Sequence, residues 1–291
     1  MSDDFKTPKR PPSRHSHLER LLGDYSKAHG VAPDRMRRWI STMTLIGALD
    51  RVRAEQEPRF LVKGGVSMEL RLGLGARSTQ DLDIVFRGRT AELLDALEEA
   101  FEHPYSGFEF RRKGEPQDIR DTGSRRIALQ VSFQQRGWQT LTVEIGRPEA
   151  DESDLVPSAI SLADFKLDSP KRVTCLSLRY QIAQKIHAVT EQPAGGRPNL
   201  RYWDLIDLIL LRALLEEDLW RVREACVQTF ESRKTHSWPP ELVVPDAWEQ
   251  PYMAEAEKLK FTPADVQEAA AEIRAFIAEI DAAKVSAEDR P

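Results

Sequence analysis

The stretch FLVKGGVSMELRLGLGARSTQDLDIVF, residues 60–86, decides how the rest of the chain is read. FLVK is a β-rich run. Gly64 and Gly65 follow, then helical spacing near 65–72 and a second apolar run, QDLDIVF, near 80–86. Side chains two apart on a strand leave the same face, so Asp81 and Asp83 are expected to project together. Asp is disfavoured in strands, and two of them inside one apolar run call for a reason. Adjacent carboxylates repel unless a proton or cation lies between them, and Mg²⁺ or Mn²⁺ would satisfy both while keeping coordination sites for phosphate. Glycines between a strand and a helix let the backbone approach a phosphate, and the helix N-terminus adds free N–H groups. Lys63, Gly64, Gly65 and Ser67 are therefore the expected phosphate-approach loop. A glycine turn alone is weak evidence; followed by Asp-Leu-Asp it is a usable signal.

Working outward, residues 17–29 and DRMRRWISTMTLIGALDRVRAEQ (34–56) carry helical spacing, as does TAELLDALEEAFE (90–102). FEFRR (108–112), RRIALQVSF (125–133) and QTLTVEIG (139–146) read as strands, the last with Glu144 on its polar side. Beyond a charged connector after 147, the pattern is helical over 177–191, 199–215, 216–233 and 263–283. The expected class is α+β: a mixed sheet with flanking helices, then an α-helical C-terminal domain. The expected divisions are a disordered tail over 1–17, a catalytic domain over 18–165 and a helical domain over 166–291.

At 291 residues with 41% hydrophobic and 31% charged content, two cored domains are affordable. No apolar run approaches a membrane span, and the polar, proline-rich start is neither a signal peptide nor an anchor. Two isolated cysteines, Cys175 and Cys226, argue against a zinc site or disulfide frame and for a reducing cytoplasm. The net charge of −5 is uneven, with 19 acidic against 10 basic residues over 204–291. A local basic face thus stays open to a polyanion, and Arg77, Arg111, Arg112, Lys113, Arg125 and Arg126 are its candidates. Read singly, each is as well explained as a solvated surface cation.

Asp81, Asp83 and Glu144 together form D-h-D on one strand and h-E-h on another, with h apolar. Three acids on one face are enough for metal-assisted phosphoryl transfer. Lys185 and Asp207 sit on successive helical segments, and antiparallel pairing could join them as a cleft cation and its support or as a plain salt bridge; Asp204, one turn away, is the alternative partner. Ser78 and Thr79 are either hydroxyls at the start of a strand or phosphate contacts. His187, two residues past Lys185, is expected to be a buried, hydrogen-bonded histidine.

The glycine pair, the short helix, D-h-D and the later h-E-h resemble the signature of the DNA polymerase β-type nucleotidyltransferases. The strings LVKGGVSMELRLG, RSTQDLD, YQIAQKIHAVTE, RYWDLIDLILL and SWPP resemble the AbiEii/MenT toxins of bacterial type IV-like toxin–antitoxin systems, over roughly 18–283. The 15-residue gap from Gly65 to Asp81 is longer than is usual in the superfamily but suits this branch. The resemblance implies a cytoplasmic, monomeric enzyme with a cognate antitoxin. It would transfer a nucleoside monophosphate, from a pyrimidine nucleotide such as CTP, to the 3′ end of tRNA and so block translation. It places the nucleotide-binding loop at Lys63, Gly64, Gly65 and Ser67, the metal-binding aspartates at Asp81 and Asp83, a functional lysine at Lys185 and a functional helical aspartate at Asp207. The rivals are modification of a small molecule (aminoglycoside type) or of a protein hydroxyl, and a nucleotide- or RNA-sensing module without turnover.

Overall fold

A computed structural model describes residues 12–119, 123–150, 152–216 and 218–284, and the chain divides into two units, Met1–Leu176 and Ser177–Pro291. The first unit opens with helices α1 (His15–His29) and α2 (Pro33–Leu49). Of the expected 1–17 tail, residues 1–11 lie outside the described residues, while His15 already starts α1, whose Leu18 and Leu22 are buried. Helix α2 ends earlier than the expected 56. Residues 53–58 form a small hairpin, β1 (Arg53–Ala54) and β2 (Glu57–Pro58), turning on left-handed Glu55 and Gln56.

Strand β3 (Phe60–Lys63) leads directly into α3 (Gly64–Leu72), and a loop then enters β4 (Asp81–Phe86), as residues 60–86 suggested. Helix α4 (Leu93–Phe101) precedes strands β5 (Phe108–Arg112), β6 (Gln117–Ile119), β7 (Ser124–Phe133) and β8 (Arg136–Gly146). Two short strands, β9 (Ser153–Pro157) and β10 (Arg172–Leu176), complete the sheet. The order is β5-β7-β8-β4-β3-β10-β9, with β6 alongside β7. β4 runs parallel to β8 and β10 runs parallel to β3; the other pairs are antiparallel, giving a mixed sheet. Because β10 pairs with β3 through Cys175 and Val62, the sheet extends past the expected boundary at 165, and the first unit closes at Leu176.

One sheet face is apolar and the other polar. Ile84, Ile127, Leu129, Val143 and Ile145 line one side of a space shared with Leu45 and Leu49 of α2 and Leu97 of α4, and all of them are buried. The alternation along β4, β7 and β8 sends Asp81, Asp83, Ala128, Thr142 and Glu144 to the other face. The apolar face thus supplies stability, at about 25 cal/mol per Å² of area removed from water. The polar face is left for chemistry.

The second unit contains α5 (Leu178–Thr190), α6 (Trp203–Arg212), α7 (Leu219–Arg233), α8 (Glu249–Leu259) and α9 (Val266–Ala282). Ile182, Ile186, Leu205, Leu208, Val222, Phe230, Ile273 and Phe276 are buried in it. Helix α8 was not expected from its pattern. Pro251 stands in its first turn, where its missing N–H costs no intrahelical bond. No described helix is long and apolar enough to cross a membrane.

Candidate active site

The carboxylates come together through strand register. Asp83 stands directly opposite Lys63 on β3 and Glu144 on β8, while Asp81 stands opposite Thr142. Glu144 in turn faces Arg126 on β7. Paired residues on neighbouring strands share a face. Lys63, Asp83, Glu144 and Arg126 therefore form one row across four strands, positive at both ends and negative in the middle. Asp81 lies two residues along the same face. All three acids are half-buried. Glu144 is tied to Arg126, Nη2 to Oε2 at 3.5 Å. Among the described residues no three His, Cys, Asp or Glu side chains converge as a ready-made metal cluster. Asp81 and Asp83 are the pair, and Glu144 leans to its arginine.

The glycine turn is shaped by these neighbours. Gly64 has φ +62°, and a Cβ there would overlap Asp83 Oδ2 and stand 3.0 Å from Asp83 Cγ. Only glycine lets the Asp83 carboxylate lie against the helix start. A Cβ on Gly65 would come within 2.7 Å of Thr79 Cβ, so Thr79 caps that position closely. Gly146, at the end of β8, makes room for Lys63: a Cβ there would stand 3.1 Å from Lys63 Nζ. Gly64→Ala is expected to cost about 1–2 kcal/mol of stability, from the left-handed backbone alone. It should reduce the activity of this site far more than a similarly destabilised control, which paired melting and rate measurements would show.

The loop before Asp81 is held from two helices, which the sequence reading did not anticipate. Arg35 of α2 bonds Glu69 of α3 with Nη2–Oε1 2.9 Å, and it donates to the carbonyls of Ala76 (2.8 Å) and Leu74 (3.4 Å). Arg38 reaches Ser78 Oγ and the Thr79 carbonyl, each at 3.4 Å. Burial raises the Glu69 pKa, and Arg35 and the Thr79 N–H pull it back. The available signal was Arg35 and Arg38 one turn apart on α2, with an acid inside the otherwise apolar VSMELRL. Ser67 differs from expectation. It is 0% exposed and hydrogen-bonds the Cys175 thiol, which burial pushes up to about 12. That hydroxyl therefore meets strand β10, which lies beside β3.

The arginine candidates divide by face. Arg111 opposes Gln130 and Arg126 opposes Glu144, so both lie on the carboxylate face, whereas Arg112 opposes Leu129 and Arg125 opposes Ile145 on the other. Arg112 bonds Glu98 of α4 at 2.8 Å, Arg125 bonds Asp118 at 3.1 Å, and Arg111 approaches Glu109 at 3.8 Å. Lys113 Nζ reaches Thr140 Oγ1 at 3.4 Å, and Arg77 is half-buried in the loop before β4. The expected basic face is a mosaic of exchanged charges, because side chains one apart on a strand part company.

In the helical unit, Lys185 Nζ is 2.7 Å from Asp204 Oδ1 and 2.6 Å from Asp207 Oδ2, with side-chain exposures of 11%, 3% and 1%. Both aspartates considered from sequence hold the lysine. Among the described residues Asp204 Oδ2 has no hydrogen-bond partner, though Arg201 Nε forms an ion pair with it at 3.5 Å.

His187 is buried, as expected, and belongs to a directed chain. Arginine can only donate, so the contact from Arg233 Nη1 to His187 Nδ1 (3.4 Å) assigns the imidazole proton to Nε2, which meets Thr235 Oγ1 at 2.9 Å. Thr235 meets His236 Nδ1 at 3.0 Å, and His236 Nε2 meets Thr190 Oγ1, whose hydroxyl donates to the Ile186 carbonyl. Burial is the main cause holding His187 down at about 3, with Arg233 adding to it. In the unfolded chain this group takes up its proton near 6.5; in the folded chain it does not. Its stabilising share is therefore complete above pH 6.5 and declines below it, by up to about 1.4 kcal/mol per pH unit. Unfolding midpoints between pH 6.5 and 5 should fall more steeply for the native chain than for His187→Gln.

A family model described as nucleotidyl transferase AbiEii toxin, type IV toxin–antitoxin system, matches residues 47–283. The chain belongs to this family. Its fold is shared with the solved structure of MenT4, a nucleotidyltransferase toxin from Mycobacterium tuberculosis H37Rv. The identity is 19% and the TM-score 0.62, over 93% of this chain and 91% of that one. ANT(2″)-Ia, solved in complex with adenylyl-2″-tobramycin, is also 19% identical over 68% of this chain and 98% of its own, at a TM-score of 0.37 that supports no comparison of sites. No curated protein matches. The AbiEii chain is thus a toxin-family nucleotidyltransferase with a mixed-sheet fold shared with MenT4, and membership of a toxin–antitoxin family implies an antitoxin partner.

Proposed function

We propose that this AbiEii protein transfers a nucleoside monophosphate from an NTP, preferentially CTP, to the 3′ end of tRNA. The observation that carries the reading is the Asp81–Asp83 pair beside the Gly64–Gly65 turn on one sheet face. The donor set fits Mg²⁺ or Mn²⁺: it is all carboxylate oxygen, and Asp83 Oδ2 lies where any side chain on residue 64 would stand. Asp81 and Asp83 would hold the ion, with Glu144 as a third ligand when released from Arg126. Such an ion, when bound, offsets charge on the reacting phosphate oxygens.

The chain's own groups do the rest. The first-turn N–H groups of α3 and the Lys63 ammonium bind the triphosphate. Arg126, freed from Glu144, is the cation available to the acceptor's phosphate backbone. Within the helical unit, Asp204 and Asp207 together hold the Lys185 side chain. The acceptor hydroxyl releases its proton to solvent as its oxygen bonds to the α-phosphorus, the bond from the α-phosphorus to the bridging oxygen breaks, and pyrophosphate leaves. The protein acts as a monomer that its antitoxin restrains.

The test is to incubate the protein with each of four α-labelled NTPs and total tRNA, then repeat with tRNA whose 3′ diol has been oxidised. Label from CTP should enter intact tRNA and not oxidised tRNA. Label appearing in protein or in an added aminoglycoside, with none in RNA, would overturn the acceptor assignment.

A further inference from the structure

Arg35 and Glu69 lie outside the carboxylate row, yet their contacts converge on the loop that joins its two halves. Arg35 uses one guanidinium for three acceptors on two elements: the Glu69 carboxylate on α3 and the carbonyls of Leu74 and Ala76 in the loop. Glu69, 5% exposed, also accepts the backbone N–H of Thr79. Thr79 then touches both halves of the site. Its side chain lies where a Cβ on Gly65 would meet it at 2.7 Å, and its hydroxyl donates to the Asp81 carbonyl at 3.2 Å. Arg38 pins the same residue from α2 through the Thr79 carbonyl.

A buried ion pair is a poor device for stability alone, because desolvating two charges costs about as much as their attraction returns. What this pair supplies is geometry: a planar fork whose donors are fixed relative to one another. We infer that Arg35 and Glu69 are positioning residues that set, through Thr79, the separation between the Gly64–Gly65 turn and Asp81. The inference rests on the nucleotidyl-transfer reading of that site. A turn and an acid misplaced by about 1 Å lose about 10²-fold in rate.

Two variants test it. Arg35→Lys keeps the charge pair with Glu69 but lacks the fork that reaches the two loop carbonyls. Arg35→Met combined with Glu69→Leu replaces the pair by apolar groups of similar size, an exchange that is often neutral or stabilising. The expected results for both are a protein that still folds cooperatively, faster hydrogen exchange at the Thr79 amide, kcat lower by about 10²-fold, and a raised Mg²⁺ concentration for half-maximal activity. A merely structural pair would lower the active fraction without moving the metal dependence. Native kcat, or native metal dependence and Thr79 exchange in whichever variant folds, would overturn the inference. Asp81→Asn, run alongside, separates the two failures: if it retains activity the site reading itself is wrong, whereas if it is inactive and the clamp variants are native, only the positioning role falls.

Discussion

Asp81→Asn should lower nucleotidyl transfer by about 10³-fold, equivalent to about 4 kcal/mol of transition-state stabilisation, while leaving the melting temperature unchanged or slightly higher. The two effects have opposite signs for one reason. Asp81 and Asp83 leave the same face of β4 two residues apart, so removing one charge relieves repulsion in the empty protein. The same change removes half of the oxygen pair that the reaction needs. Asp83→Asn should behave similarly in rate. Its effect on stability should differ, because Asp83 is packed against Gly64 and registered with Lys63. A loss of activity accompanied by a proportionate loss of folded protein would count against a role in chemistry.

Lys185→Met should be the most destabilising single change in the helical unit, by about 3–5 kcal/mol. Two aspartates with side-chain exposures of 3% and 1% share its ammonium, so the substitution removes the cation that both of them hold. Chemical denaturation at pH 7 would measure the loss. Replacing the aspartates singly should cost less, because one carboxylate would still hold the lysine. A native-like unfolding midpoint for Lys185→Met would mean the triad is solvated, contrary to its burial.

The residues that were legible from sequence are those whose own chemistry violates a local rule. Two aspartates within a strand and a glycine pair at its edge announced β3, α3 and β4 almost to the residue. Lys185 and Asp207 gained their meaning from family resemblance, and the helices then brought them to 2.6 Å. What was illegible depends on partners distant in sequence. SDLVP and RVTCL are too short to declare themselves and become strands by pairing at the β3 edge. Ser67, expected in the phosphate loop, hydrogen-bonds Cys175 of the second of them. The arginine pairs at 111–112 and 125–126 looked like one basic surface, but strand alternation sends each member to the opposite face. Arg35 gave only the faint signal of a second arginine one turn on; its role depends on α2 passing beside the loop that leads to Asp81.

The most direct measurement follows two labels through one reaction. With tRNA as acceptor, CTP labelled at the α-phosphate and CTP labelled at the γ-phosphate are supplied separately to the native protein and to Asp81→Asn. The account predicts α-label in the tRNA, γ-label only in pyrophosphate, and neither product with Asp81→Asn. Transfer of the γ-label to the acceptor, or equal α-labelling by Asp81→Asn, would contradict it.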